Sequence, residues 1–297
     1  MSRIARHTAV LALSCGLGCQ TQRSKLERLV PDDALGMVSF DLEALTSTVP
    51  GFAYGLVDFL DNPKVLGALT EARQRCGVDY RTWSMAVVGV RAAPTSMVFA
   101  LRGPKLGRRA TLECLAQAGG AAFGLPAAFF ELTDDDGLPL LKLADGQMLA
   151  WGAETNTLVI TGAAWKDSIR ERIGGKGRPA VEGRLREAVA AVHPEAAAWV
   201  AFDFSSQPGP VEGTPFEGAT RASGTARFHG EMTFEGQAEF SSAASALAAT
   251  TALRDDLAAT MGDARKLPAE VREAVTFATA GTTVTVAVRL PLSTFLD

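Results

Sequence analysis

Polar and apolar positions alternate along several short stretches of the chain. Between Met37 and Leu42 the residues Val38, Phe40 and Leu42 share one face, which predicts a strand. Thr283 to Leu290 shows the same period of two, Ala198 to Phe204 reads as a further strand, and the apolar runs Ser84–Arg91 and Ser96–Arg102, split by Ala-Ala-Pro-Thr, read as a hairpin. From Phe228 to Phe240 the even positions are Phe, Gly, Met or Ala. The odd ones are His229, Glu231, Thr233, Glu235, Gln237 and Glu239, which predicts an antiparallel strand with one wet face. Phe129–Leu143, Gln147–Gly152 and Thr157–Thr161 read as a meander turning at Asp-Asp-Asp-Gly, at Asp145-Gly146 and at Glu154-Thr-Asn156.

Helical spacing fills the intervals. Pro50–Asp61 carries Phe52, Leu56, Phe59 and Leu60 on one stripe, with Thr48 as its candidate cap. Pro63–Cys76 is a second helix stopped by Gly77. Further helices are predicted over Lys105–Ala118, ending at Gly119-Gly120, and over Ala163–Ile173, ending at Gly174-Gly175. Val181, Leu185, Val189 and Val192 make another stripe. Ala243–Met261 is a long helix and Pro268–Ala274 a short one.

These elements define an α+β fold. A short echo divides it: Ala34-Leu-Gly-Met-Val-Ser-Phe-Asp41 aligns with Ala197-Ala-Trp-Val-Ala-Phe-Asp203 after a one-residue gap, and a Pro-acid pair precedes each (Pro31-Asp32, Pro194-Glu195). We therefore expect two related modules, 30–178 and 179–297, each with antiparallel sheet packed against helices.

The first residues read as an address. Met1 to His7 is short and basic, and Thr8 to Gly18 is an apolar run too short to span a bilayer. Gly18-Cys19 resembles the end of a bacterial lipoprotein signal, although Gly16 stands where that pattern prefers Leu, Val or Ile. The resemblance implies a signal peptide at 1–18, lipidation of Cys19 and a tether at 19–29. It also implies a place in the cell envelope. Gln20, where Asp favours inner-membrane retention, leans toward the outer membrane. The Pro-acid-x-Ala segment running into a strand that ends in Asp resembles uncharacterised envelope lipoproteins of myxobacterial type. That resemblance implies no activity.

Composition narrows the chemistry. The chain has 297 residues, 47% hydrophobic and 21% charged, with a net charge of -4. That is globular composition without the basic stripe of a nucleic-acid binder. With Cys19 lipidated, Cys76 and Cys114 form an even pair for an oxidising compartment: a disulfide, or two buried free thiols. His193 and His229 are the only histidines after the leader, and no Cys-x-x-Cys or paired His spacing marks a metal. Hydrolase motifs are absent, leaving at most a dispersed arrangement of Ser205 or Ser206 with His229. No cofactor is implied.

Two loops stand out. Gln207–Thr225 is long and rich in Pro, Gly and Thr. Gly119–Phe130 is apolar and presents Phe123 and Leu125 as candidates for an apolar ligand or a partner. The expectation is a non-catalytic envelope lipoprotein that binds or scaffolds, held to the membrane by its lipid and facing an envelope protein partner. A carrier of a lipid or other apolar ligand, and a hydrolase with a dispersed site, are the alternatives.

Overall fold

A computed structural model describes residues 25–48, 63–92, 96–124, 126, 129–193, 196–206, 211–260 and 273–291. The expected helix over Pro50–Asp61 and most of that over Pro268–Ala274 lie outside these residues, as does Cys19.

Twelve strands form one antiparallel sheet. They are β1 (Gly36–Asp41), β2 (Met85–Arg91), β3 (Ser96–Arg102), β4 (Phe130–Asp135), β5 (Leu138–Leu143), β6 (Met148–Glu154), β7 (Thr157–Gly162), β8 (Ala198–Asp203), β9 (Ala219–Phe228), β10 (Glu231–Phe240), β11 (Val275–Ala280) and β12 (Thr283–Pro291). The order across the sheet is β11-β12-β10-β9-β8-β1-β2-β3-β7-β6-β5-β4. The helices are α1 (Leu42–Thr48), α2 (Pro63–Cys76), α3 (Arg109–Phe123), α4 (Lys166–Ile173), α5 (Arg186–Ala190) and α6 (Ala243–Thr260).

The strands that carry the sequence echo, β1 and β8, are neighbours in this sheet. β1 pairs with β8 around the central couple Val38–Val200, so that Gly36 faces Phe202 and Phe40 faces Ala198. Outward from this seam each half follows the same order. A seam strand comes first (β1 or β8), then a hairpin (β2-β3 or β9-β10), then a helix (α3 or α6). The chain returns through a strand that pairs with the hairpin's outer member (β7 on β3, β12 on β10). The β4-β5 hairpin is extra to the first half. The equivalent residues Asp41 and Asp203 do similar work: Asp41 Oδ1 accepts the Ala44 N–H at the start of α1, and Asp203 Oδ1 accepts the Ser205 N–H.

Strand alternation sends residues to two faces. On the back, Met37, Val87, Val98, Trp151, Val159, Trp199 and Ala201 pack under the chain from Leu26 to Ala34, under α4 and under α5. On the front lie α1, the α2–α3 pair and α6. The boundary expected at 178/179 falls in the connection from α4 to α5, which is tied to the start of the described chain. Arg172 donates to the carbonyls of Arg28, Lys176 and Gly177, and Ala180 N–H donates to Val30 O.

Several local expectations are corrected by packing. Thr48 closes α1, its hydroxyl donating to Ala44 O, and the helix expected after it lies outside the described residues. The helix α3 runs through Gly119-Gly120 to Phe123 and stops at Gly124, where φ is 67°. The stripe from Val181 to Val192 is not one helix. Gly183 breaks it, because the Asp32 carboxylate fills the place of its side chain and accepts the Arg184 N–H at 2.8 Å. What remains is a 3-10 turn at Ala180–Glu182 and the short α5. The run from Phe228 to Phe240 is a hairpin arm, not one strand: His229-Gly230 is a turn, and β9 begins at Ala219 inside the expected loop.

Candidate functional site

The front of the two modules is filled differently. In the first, α3 presents Leu112 and Leu115 to Leu101, Leu158 and Ile160, and Leu106 and Val78 complete a solid cluster. Cys76 at the end of α2 and Cys114 in α3 are joined as a disulfide, with their α-carbons 5.6 Å apart, so that the helix pair is stapled over this cluster. The cross-link ties α2 to α3, whose leucines pack on the sheet.

In the second module the equivalent helix, α6, is Ala-Ala-Ser-Ala-Leu-Ala-Ala-Thr-Thr-Ala-Leu over its first eleven residues. Its contact with the sheet is made by Ala246, Ala249 and Leu253. The strands beneath are equally spare. Gly224 stands opposite Gly236, and Ala222 opposite Ala238. Beside α6, which lends Leu253 to the wall, the small residues of the sheet leave an open apolar cavity of about 360 Å³. Phe202, Phe204, Phe216, Phe234 and Phe277 supply its aromatic wall, with Val200, Val284 and Val286 among its aliphatic residues.

The phenylalanines are held by the glycines and by one another. The Phe202 and Phe204 rings stack with centroids 5.5 Å apart. The ring of Phe234 reaches Gly224 and Gly236, standing 3.0 Å and 3.1 Å from where their β-carbons would be. Phe204 and Val211 are buried, while Phe216 at the rim is 37% exposed. Of the polar residues at the wall, Ser223 and Gln237 face each other across β9 and β10. By alternation their side chains point to the back, away from Ala222, Gly236 and Ala238. The cavity therefore offers dispersion and apolar burial, with no acid, base or nucleophile directed into it.

The residues singled out from the sequence lie elsewhere. Phe123 is the last residue of α3, and Leu125 lies outside the described residues. His229 sits in the β9-β10 turn and Ser205 follows the far end of β8, with its hydroxyl on Asp203. Since Asp203 pairs with Arg221 and Ala198 with Ala226, Ser205 and His229 are at opposite ends of β9. About ten residues of strand put them roughly 30 Å apart, so they form no catalytic pair. His193 lies after α5 on the back of the sheet. Among the described residues no group of three or more His, Cys, Asp or Glu could hold a metal, and no helix is long and apolar enough to cross a membrane.

No protein-family model matches the chain, and no curated protein matches it significantly. Solved structures do. Crystal form III of TP0453, a treponemal protein, superposes with a TM-score of 0.55 over 89% of this chain and 93% of that one, at 8% identity. Crystal forms IV and I give TM-scores of 0.48 and 0.46 at 9% and 8% identity, covering 90% and 91% of this chain and 93% and 94% of theirs. The form III likeness is one of fold: the α+β arrangement with its large antiparallel sheet is shared.

Proposed function

We propose that this is a non-catalytic protein of the cell envelope, held to the membrane through a lipidated Cys19, that binds an apolar ligand in the cavity beneath α6. The observation that carries the binding reading is the contrast between the modules. Under α3 the sheet meets a cluster that includes Leu106, Leu112 and Leu115, whereas beside α6 the small residues of β9 and β10 leave an apolar pocket lined by five phenylalanines. A protein interior normally packs to the density of an organic crystal. A hollow lined by five phenylalanines is the form of a ligand pocket, and its volume is at the lower end of the range of roughly 300–1,000 Å³ for small-molecule sites. The envelope address rests on the leader and on Gly18-Cys19. It is supported by the fold shared with TP0453, which is a treponemal outer membrane-associated protein.

The test is a titration with N-phenylnaphthylamine, whose fluorescence rises in apolar surroundings. The wild-type protein is expected to bind it saturably, one per chain. Ala222→Leu puts a larger side chain into the half-buried wall, and is expected to weaken binding at least tenfold with the fold intact by circular dichroism. A wild-type protein that gives no saturable signal refutes the reading.

A further inference from the structure

The wall fixes what kind of molecule the cavity admits. At about 30 Å³ for a methylene, of the order of a water's share of the liquid, the space of about 360 Å³ holds roughly a dozen carbons. That is room for one hydrocarbon chain. The side chains facing inward are carbon, so any polar end of the molecule must stay at the rim.

Among the described residues, Arg254 is a cation in contact with the wall. Arg254 follows Leu253, which lines the cavity. Its Nη2 donates to the carbonyl of Phe277, another lining residue, at 3.1 Å. This contact bridges α6 and β11 and holds the guanidinium next to two lining residues, Leu253 and Phe277. Arg254 is exposed, and no carboxylate among the described residues pairs with it within 4.0 Å. A guanidinium has five N–H donors in a planar fork suited to carboxylate and phosphate. One is on the Phe277 carbonyl. The chain as a whole is acidic, with a net charge of -4, so attraction for an anion here would be local to this residue.

We propose that the ligand is an anionic single-chain amphiphile, with its chain under α6 and its carboxylate or phosphate on Arg254. The proposal rests on the apolar-ligand reading and adds the headgroup. The experiment displaces bound N-phenylnaphthylamine with three lauroyl compounds: laurate, lauroyl lysophosphatidate and neutral monolaurin. At least one of the two anions is expected to compete about tenfold more strongly than monolaurin. Which one does so separates a free fatty acid from a lysophospholipid. Arg254→Gln, which keeps a donor for the Phe277 carbonyl, should erase the difference and leave monolaurin unchanged; Arg254→Lys should keep part of it. Equal competition by all three on wild type, or an equal loss for monolaurin on Arg254→Gln, overturns the headgroup assignment while the cavity reading stands. If the reporter itself does not bind, the cavity reading falls and the headgroup assignment falls with it.

Discussion

The ring of Phe202 occupies the space that a side chain at Gly36 would need: a β-carbon on Gly36 would lie 2.0 Å from Cδ1 of Phe202. The two residues are cross-strand partners at the seam between the modules, and Phe202 continues into the cavity wall, stacked on Phe204. Replacing Gly36 by Ala forces the ring away. The expected cost is about 1–3 kcal/mol, the usual range for overpacking a well-filled site, read as a lower urea midpoint. Because the displaced ring belongs to the wall, N-phenylnaphthylamine affinity should change in the same variant. Unaltered stability together with unaltered affinity would refute this placement of Phe202.

Where side chains alternate strongly, the sheet was legible before the structure. β12 is legible because Val284, Val286, Val288 and Leu290 share one face; in β1 the stripe of Val38 and Phe40 marks the strand, but Met37 and Ser39 on the opposite face are the fully buried residues. The β9-β10 hairpin was not legible, and the reason is instructive. Phe228 lies directly across from Met232, so both even-numbered residues share a face and the alternation runs unbroken through the His229-Gly230 turn. β9 itself reads as loop because Ala219-Thr-Arg-Ala-Ser-Gly-Thr225 is small and polar. That smallness is also what leaves room under α6. The cavity was therefore hidden by the features that make it. Its available signal was Gly224 and Ala222 meeting Gly236 and Ala238 beneath an alanine-rich helix. Similarly, the broken helix at Gly183 depends on Asp32, which is distant in sequence, and no local periodicity reports it.

The disulfide should matter to one module more than the other. Cys76 and Cys114 are 38 residues apart, and closing a loop of that size in the unfolded chain stabilises by about 3–4 kcal/mol on chain-entropy grounds. Cys76→Ala/Cys114→Ala should lower stability by that order, most visibly as faster hydrogen exchange in α2 and α3. Cavity binding should persist, since no residue of either helix lines it. Equal loss of protection in α6 would contradict this division.

Acid should loosen the turn that leads into β2. Asp79 caps the 3-10 turn Tyr80–Thr82, accepting the Arg81 N–H and pairing with its guanidinium. The hydrogen bonds from the Arg81 side chain, with smaller help from its backbone and from nearby charge, hold the Asp79 carboxyl below its ordinary 3.8. A depressed folded value means that the unfolded chain binds a proton first as pH falls. The stabilisation is present above about pH 4 and is lost as pH drops through the lower folded value. Asp79→Asn should therefore be less stable than wild type at pH 7, with the gap closing below pH 3. A gap independent of pH would leave the carboxylate no part in it.

Arg172 supplies the last test, because it joins parts of the chain that the sheet alone does not. Its Nε donates to Arg28 O at 2.7 Å and one Nη to the carbonyls of Lys176 and Gly177. The side chain is buried, and that burial lowers its pKa from the ordinary arginine value. The group still holds its proton, since a guanidinium gives it up only far above neutrality. Arg172→Met keeps the length and apolar stem but leaves three carbonyls without their donor. An unpaired buried polar group costs about 1–3 kcal/mol; solvent can reach part of this connection, so a total of roughly 2–4 kcal/mol is expected. Lysine has a single ammonium group and cannot present the planar fork that meets carbonyls on two sides, so Arg172→Lys should recover less than half of the loss. The accompanying signature is local. Hydrogen exchange should quicken at Ala180, whose N–H donates to Val30 O, and at Arg184, whose N–H donates to Asp32, before it does so in β1 or β8. If both variants match wild type in stability and exchange, the connection between α4 and α5 is held by the sheet seam alone.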